Sequence, residues 1–294
     1  MPVNGKFISI SFRSLSIYFR GLLLFLVPTI SLASELPKRI VSINVCADQL
    51  VATLVEQERI ISLSYLSRDP NSSWLGSLTE KIHINHGTAE EIISLNPDLV
   101  VTGAFGFRPT VSILKRLGYR VLELPFAKTI DDISTNLNLL TNAVGNNKKT
   151  NALIDRFYEE TKKVPISTTE VLPLFVNYET NGWISRDDSL PNHIAQRVGF
   201  NTIGRQYEVL TSHKIDLEAL LILGPDLINI GYQWNESPAL VSEYMQHPAL
   251  EELLRRTKQI NVPDPYWLCG SLKTQDAILI LKQAREELFS NRKN

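Results

Sequence analysis

The sequence contains little cysteine, little histidine and no excess of positive charge, and each shortage excludes a class of protein. Two cysteines and five histidines are spread over 294 residues. Two thiols are too few for a cysteine-type zinc site, and a chain of this length does not depend on disulfides to fold. With 30 basic and 31 acidic residues, the chain has no net positive charge, which argues against a nucleic acid, whose binding requires a clustered positive surface. We therefore expect no nucleic acid partner.

A long hydrophobic run is also missing, and the N-terminus carries a shorter one. Residues 1–20 contain three basic residues and no acidic one, and the apolar run that follows spans only Gly21–Val27. A membrane-spanning helix needs about 20 apolar residues. A basic segment, a short apolar core and the small residues of Ser31–Ala33 are instead typical of a cleavable secretory signal peptide. We predict a signal peptide over residues 1–33, no lipid anchor, and export to the periplasm.

Short apolar, β-branched runs recur along the rest of the chain, separated by segments with helical spacing. This alternation predicts an α/β fold with parallel sheets. The runs fall into two sets, so we predict an N-terminal lobe over 38–146 and a C-terminal lobe over 165–291. The runs that we predict as strands are Arg39–Ile43, Ile60–Ser64, Leu99–Thr102, Val121–Leu124, Leu174–Asn177, Asp226–Ile230 and Gln259–Val262.

The segment between the two sets, residues 147–164, contains neither glycine nor proline, and Ala152, Ile154, Phe157 and Thr161 follow helical spacing. A helix of these 18 residues would be about 27 Å long. A helix connects two lobes more stiffly than a glycine–serine tether does. We predict a rigid connecting helix, the alternative being an ordinary surface helix within one domain.

An internal repeat relates the two predicted lobes. Residues 90–100, EEIISLNPDLV, align with residues 218–228, EALLILGPDLI. Both copies begin with glutamate, place proline seven residues later and enter a predicted strand through Asp-Leu. Two copies in register suggest lobes that are related by pseudo-symmetry, each displaying one acidic residue.

The chain resembles a known family, the helical-backbone periplasmic binding proteins for cobalamin, haem and ferric siderophores. The resemblance covers almost the whole of residues 39–288. It is carried by RIVSINVCADQL at 39–50, GTAEEIISLNPDLVVTG at 87–103, GWISRDDSLPNHIAQRVGFNTI at 182–203 and IDLEALLILGPDLINIGY at 215–232. It implies two Rossmann-like lobes joined by one long rigid helix, the class III arrangement, with a ligand held in the cleft between them.

The resemblance also implies a partner, an ABC permease dimer in the inner membrane. One surface glutamate of each lobe would dock onto arginines of the permease, and the matching positions here are Glu90 and Glu218. Carboxylates near a helix N-terminus are stabilised by the helix dipole, and carboxylate–arginine pairs orient an association. The alternative is that the two glutamates only begin their helices. We expect a monomer without a cofactor, whose ligand is a metal chelate.

Ligands of open α/β folds meet the loops at the carboxyl ends of the strands. Aromatic side chains there can wrap a broad ligand, and arginines can pair with its negative charge. This combination favours a ferric siderophore, with cobalamin as the alternative because its neutral bulk needs fewer cations, and haem third. Any of these side chains could instead pack the lobes. The predicted ligand-binding residues are Asn44, Cys46, Tyr65, His86, Phe107, Arg108, Trp183, Arg186, Tyr232, Trp234 and Trp267.

The two cysteines, Cys46 and Cys269, depart from the family pattern. Both are expected to face the cleft, one in the loop after the first strand and the other just ahead of the final helix. They would form a disulfide that ties the lobes together if their Cα atoms come within about 4.4–6.8 Å; otherwise they would line the pocket as thiols. We predict no site for a bare metal ion, since the loop after the first strand has no histidine.

An enzyme on the same scaffold, such as a periplasmic hydrolase, is the alternative from another class. The sequence has no G-x-S-x-G elbow, no H-E-x-x-H and no G-x-x-x-x-G-K phosphate loop. Asp187 and Asp188 lie near His193, but no pattern places a nucleophile beside them. We therefore predict a binding protein without catalytic residues.

Overall fold

The computed structural model describes residues 35–104, 106–162, 171–179, 182–203, 214–231 and 247–291. Residues from Leu36 onward form one compact unit. The predicted signal peptide over 1–33 lies outside the described residues, as do Tyr232 and Trp234. Within the described ranges, no helix combines the length and the apolar character needed to cross a membrane.

The N-terminal lobe is built on a five-stranded sheet in which every neighbouring pair of strands is parallel. Its order is β3-β2-β1-β4-β5. The strands are β1 Ile40–Ser42, β2 Ile60–Ser64, β3 His83–Asn85, β4 Leu99–Gly103 and β5 Val121–Leu124. The helices of this lobe are α1 Val45–Leu54, α2 Ala89–Ser94, α3 Arg108–Arg116 and α4 Ile130–Val144.

The C-terminal lobe repeats the plan with a four-stranded parallel sheet of order β7-β6-β8-β9. The strands are β6 Leu174–Tyr178, β7 Asn201–Thr202, β8 Leu227–Ile230 and β9 Lys258–Ile260. The described helices are α6 Leu190–Val198, α7 Leu217–Leu223, α8 Pro248–Arg256 and α9 Thr274–Asn291. The prediction of two parallel-sheet α/β lobes is therefore confirmed.

Helix α5, Lys148–Lys162, connects the lobes. It occupies the segment predicted as a connecting helix over 147–164, whose last two residues lie outside the described ranges. The helix packs against α4 of the first lobe and α9 of the second. Its apolar stripe is buried, since Ile154 is 6% exposed and Phe157 is 1% exposed. The connector is thus a packed part of the fold rather than an isolated rod.

A single apolar core runs through both lobes. It contains Leu63 and Leu137 of the first lobe, Phe175 and Leu227 of the second, and Phe157 of α5. Separate, smaller clusters fill the outer side of each sheet. Separating the lobes would expose the shared cluster, and a fully buried leucine or phenylalanine contributes about 1.5–3 kcal/mol. We therefore expect only small rearrangements between the lobes.

The internal repeat has a structural role that both copies share. Asp98 and Asp226 immediately precede β4 and β8, the strands that pair with the central strands β1 and β6. The Asp98 carboxylate accepts a hydrogen bond from the backbone N–H of Arg39 at 3.0 Å, and the Asp226 carboxylate accepts one from the backbone N–H of Leu174 at 2.8 Å. Each aspartate thus holds the beginning of its lobe's central strand.

Candidate ligand-binding cleft

A cavity of about 600 Å³ lies between the two lobes. On the N-terminal side, its walls are the start of α1 and the segments that follow β4 and β5. This is the carboxyl edge of the sheet, where open α/β folds bind ligands. The residues that line it are Asn44, Cys46, Ala47, Leu50, Gly103, Ala104, Leu124, Pro125, Phe126, Lys128, Asn136, Arg186, Asp188, Ser189 and Cys269.

Asn44 holds the start of α1 at the cavity wall. Its Oδ1 accepts hydrogen bonds from the backbone N–H groups of Cys46 at 3.0 Å and Ala47 at 3.4 Å, so the residue is the N-cap of α1. A Cβ atom at Gly103 would lie 2.9 Å from the same oxygen. A side chain at position 103 would therefore clash with the Asn44 side chain in its capping position.

Cys46 and Cys269 form a disulfide that joins the lobes at the cavity, with their Cα atoms 4.8 Å apart. The next residue, Gly270, also packs tightly against the first lobe. Its φ is +64°, and a Cβ atom added there would lie 2.6 Å from the Cβ of Ala127. One residue further, the Ser271 hydroxyl accepts a hydrogen bond from the Trp74 indole N–H at 3.2 Å. The loop that carries Cys269 is thus bound to the first lobe by covalent, apolar and polar contacts.

Three charged side chains form a cluster at the cavity wall, and one of their two contacts joins the lobes. Lys128 of the first lobe contacts Asp188 of the second at 2.7 Å, and Arg186 contacts the same carboxylate at 2.7 Å. Hydrogen bonds from Lys128 and then Arg186 lower the pKa of Asp188 to about 2. All three side chains are roughly half exposed, so solvent weakens the pairing and its contribution to stability is about 0–1 kcal/mol per pair.

A second cavity of about 350 Å³ adjoins the first on the side of the C-terminal lobe. The two cavities share Phe126, Arg186 and Ser189. Trp183, which is 48% exposed, forms part of the second cavity together with the carboxylates of Glu179 and Asp264. Partial burial raises the pKa of Glu179, and the charge of Asp264 adds to the effect.

Several of the predicted ligand-binding residues line these cavities. Asn44 and Cys46 line the larger cavity, Trp183 and Trp267 the smaller, and Arg186 both. Trp267 is only 2% exposed, and its ring lies 6.4 Å from that of Phe175 in the shared core. Trp267 is therefore mainly a packing residue that reaches the wall of the smaller cavity.

Four others, Tyr65, His86, Phe107 and Arg108, line neither cavity. Tyr65 and His86 stack on each other with ring centroids 5.4 Å apart. They follow β2 and β3, which lie on the far side of β1 from the strands that bound the cavity. Phe107 packs so closely on Gly87 that a Cβ there would come within 2.3 Å of its ring. Arg108 is exposed at the start of α3.

Sequence reasoning missed Phe126, Lys128, Asn136 and Asp188 as residues of the cavity wall. Phe126 and Lys128 closely follow β5, so the rule that favours strand ends would have found them. Asn136 lies inside α4, between the buried core residues of that helix. Ser134 and Thr141 of the same helix are buried polar residues as well, so no sequence signal set Asn136 apart.

The structure places the two predicted docking glutamates at equivalent points of the lobes. Glu90 lies in the first turn of α2 and Glu218 in the first turn of α7, and both are exposed. Thr88 and Asp216 cap these helices by accepting hydrogen bonds from backbone N–H groups. Within the described ranges, no three histidine, cysteine, aspartate or glutamate side chains group as a metal site.

The two parallel-sheet lobes and their connecting helix are the fold of the class III periplasmic binding proteins. No protein-family model matches the chain, and no curated protein sequence matches it. The fold is therefore established by solved structures, each of low sequence identity.

Three of these structures cover most of the chain. The apo form of the periplasmic haem-binding protein RhuT from Roseiflexus sp. RS-1 is 17% identical with a TM-score of 0.68, over 84% of this chain and 98% of that one. The periplasmic vitamin B12 binding protein BtuF of Vibrio cholerae is 16% identical with a TM-score of 0.63, over 86% and 98%. A periplasmic haem-binding protein from Pseudomonas aeruginosa is 20% identical with a TM-score of 0.62, over 85% and 92%.

Proposed function

We propose that the chain is the periplasmic solute-binding component of an ABC importer and holds a metal chelate in the cleft. The observation that carries this proposal is the cavity of about 600 Å³ enclosed by two lobes of the class III fold. A cavity of this size is typical of small-molecule and cofactor sites. The shared core and the disulfide support capture in a largely preformed cleft rather than by wide closure.

A ferric siderophore is our first candidate for the ligand. Lys128 and Arg186 lie at the cavity wall and provide positive charge for an anionic chelate. Phe126, 45% exposed, and Trp183 offer aromatic surface beside them.

Cobalamin is the second candidate, and a specific observation favours it. Asp188 pairs with both Lys128 and Arg186, so one of the two positive charges at the wall is already balanced. The remaining polar groups of the larger cavity include the neutral amides of Asn44 and Asn136. A bulky neutral chelate would suit such a wall, whereas haem, our third candidate, brings two carboxylates.

The ligand is tested by purifying the protein from the periplasm, recording its visible absorbance, and titrating it with a ferric siderophore, cyanocobalamin and haemin. We expect one chelate to bind at one molecule per chain without turnover. A protein that is colourless as purified and binds none of the three would refute the ligand proposal.

Delivery to the permease would use Glu90 and Glu218. The double variant Glu90→Ala/Glu218→Ala should abolish uptake of the ligand by cells while the purified protein still binds it, because both side chains are exposed in first turns of helices. Glu251→Ala is a matched control, since Glu251 is also exposed in a first turn, that of α8, but lies outside the repeat. Unchanged uptake in the double variant would refute the docking role.

A further inference from the structure

Asp188 brings two cations together at the wall of the larger cavity. Its Oδ2 atom contacts Lys128 Nζ at 2.7 Å, and its Oδ1 atom contacts Arg186 Nε at 2.7 Å. All three residues line the cavity. The same contacts lower the pKa of Asp188 to about 2, so the carboxylate is ionised at neutral pH. A single carboxylate is thus shared by two cations on the surface where a ligand would lie.

The contact between Lys128 and Asp188 joins the lobes, but other contacts already hold them together. The two side chains are 51% and 47% exposed, and an exposed ion pair contributes little to stability. The disulfide, the bond from Trp74 to Ser271 and the shared core fix one lobe on the other. The ion pair is therefore weak enough for a ligand to replace it.

The backbone that carries these charges is anchored separately from them. In the second lobe, Asn192 Nδ2 donates a hydrogen bond to the carbonyl oxygen of Arg186 at 2.9 Å. In the first lobe, the backbone N–H of Lys128 donates one to the Asp132 carboxylate at 2.9 Å. Lys128 and Asp188 can therefore separate by rotation of their exposed side chains, without a change in the backbone.

The adjacent aspartate, Asp187, has contacts of a different kind. Its Oδ1 atom accepts hydrogen bonds from Gln196 Nε2 at 3.0 Å and from the Thr202 hydroxyl at 3.3 Å. These partners are neutral and belong to its own lobe, so Asp187 fixes the loop on α6 and β7. Asp188 instead contacts two cations, one of them in the other lobe. Packing of the C-terminal lobe accounts for Asp187 but not for Asp188.

We propose that Asp188 is a resident counter-ion that competes with an anionic oxygen of the ligand for Lys128 and Arg186. The inference rests on the proposed function and names the class of chelate, one that carries carboxylate or catecholate oxygens. Asp188 is then a specificity-determining residue. A chelate with several negative charges gains most by displacing it, whereas a neutral chelate gains nothing.

Two variants should change the affinity in opposite directions. Asp188→Asn removes the competing charge at almost constant size and should tighten the binding of an anionic chelate. Lys128→Gln removes a cation and should weaken it. Glu123→Gln is the matched control, because Glu123 is an exposed carboxylate that also pairs with a lysine, Lys115, but lines neither cavity.

The probes are ferric enterobactin and haemin, which carry catecholate and carboxylate oxygens, and cyanocobalamin, which is neutral. Dissociation constants are measured by calorimetry, and melting temperatures report folding. For whichever anionic probe the wild type binds, Asp188→Asn should bind about fivefold more tightly and Lys128→Gln about tenfold more weakly, since each variant changes one charge beside the bound anion. Both effects should shrink at high salt, which screens exposed charges. Glu123→Gln should change the affinity less than twofold.

Unchanged or weaker binding of the anionic probe by folded Asp188→Asn would overturn the inference and leave the proposed function standing. A wild type that binds only cyanocobalamin would do the same. In crystals of the wild type with its anionic probe, Lys128 Nζ should lie more than about 4 Å from the Asp188 carboxylate, and persistence of both ion pairs would also overturn the inference. A wild type that binds none of the three probes would overturn the proposed function and this inference together.

Discussion

Replacing Cys46 and Cys269 by serine should lower the free energy of unfolding of the protein by several kcal/mol. The disulfide between them joins residues 223 positions apart, so it encloses most of both lobes in one covalent loop. Cross-linking stabilises a fold mainly by restricting the unfolded chain. Loss of this link therefore favours the unfolded state, whatever the two side chains contribute to packing.

The size of the effect follows from the length of the loop. For a sequence separation of 223 residues, the chain-entropy relation gives a stabilisation of about 5 kcal/mol, whereas measured disulfides commonly contribute about 2–4 kcal/mol. The Trp74–Ser271 hydrogen bond and the apolar contact at Gly270 remain after the substitution, so the lobes stay in contact. We expect a loss of about 2–5 kcal/mol with the native fold retained.

The assay is urea unfolding at constant pH, followed by tryptophan fluorescence, for the wild type with and without dithiothreitol and for Cys46→Ser/Cys269→Ser. The double variant should unfold at lower urea than the oxidised wild type and at the same urea as the reduced one. Its dependence on urea should also be steeper, because an unfolded chain without the cross-link exposes more surface. Equal midpoints for the oxidised wild type and the double variant would refute the reasoning.

Two further predictions concern buried and repeated aspartates. Burial raises the pKa of Asp48 to about 7, although hydrogen bonds from Ser42 and Ser64 act to lower it. The folded protein therefore binds a proton more tightly than the unfolded chain, and acidification from pH 8 to 5 should stabilise the wild type by about 2–3 kcal/mol relative to Asp48→Asn. Parallel profiles of unfolding free energy against pH for the two proteins would contradict this. Asp98→Ala should lower the unfolding free energy by about 1–3 kcal/mol, because the Asp98 carboxylate accepts hydrogen bonds from the two backbone N–H groups just ahead of β1. An unchanged melting temperature would show that the aspartate of the repeat does not hold the start of this strand.

Most of the fold could be predicted from the sequence because buried parallel strands leave continuous apolar runs. Ile60–Ser64 and Val121–Leu124 were predicted with the bounds that the structure shows. The strands His83–Asn85 and Asn201–Thr202 were missed, since they are short and largely polar. Both are edge strands of their sheets, where the apolar signal is weakest.

The site was harder to predict because a sequence does not state the order of strands in a sheet. Tyr65 and His86 follow strands as the prediction required, but β2 and β3 lie away from the part of the sheet that bounds the cavity. The sequence alone does not decide the pairing of Cys46 with Cys269 for a similar reason: their Cα atoms come within 4.8 Å of each other because one lobe docks on the other. Asn136 could not be singled out from the sequence, because α4 also buries the polar residues Ser134 and Thr141.

Filling the cleft tests the central claim most directly. Ala104 lines the larger cavity at the end of β4, so Ala104→Trp would occupy the space that we assign to the ligand. Calorimetric titration of the wild type with its chelate should give one molecule per chain, and the same titration of Ala104→Trp should give no measurable binding at an unchanged melting temperature. Wild-type affinity in the folded Ala104→Trp protein would place the ligand elsewhere and contradict the account.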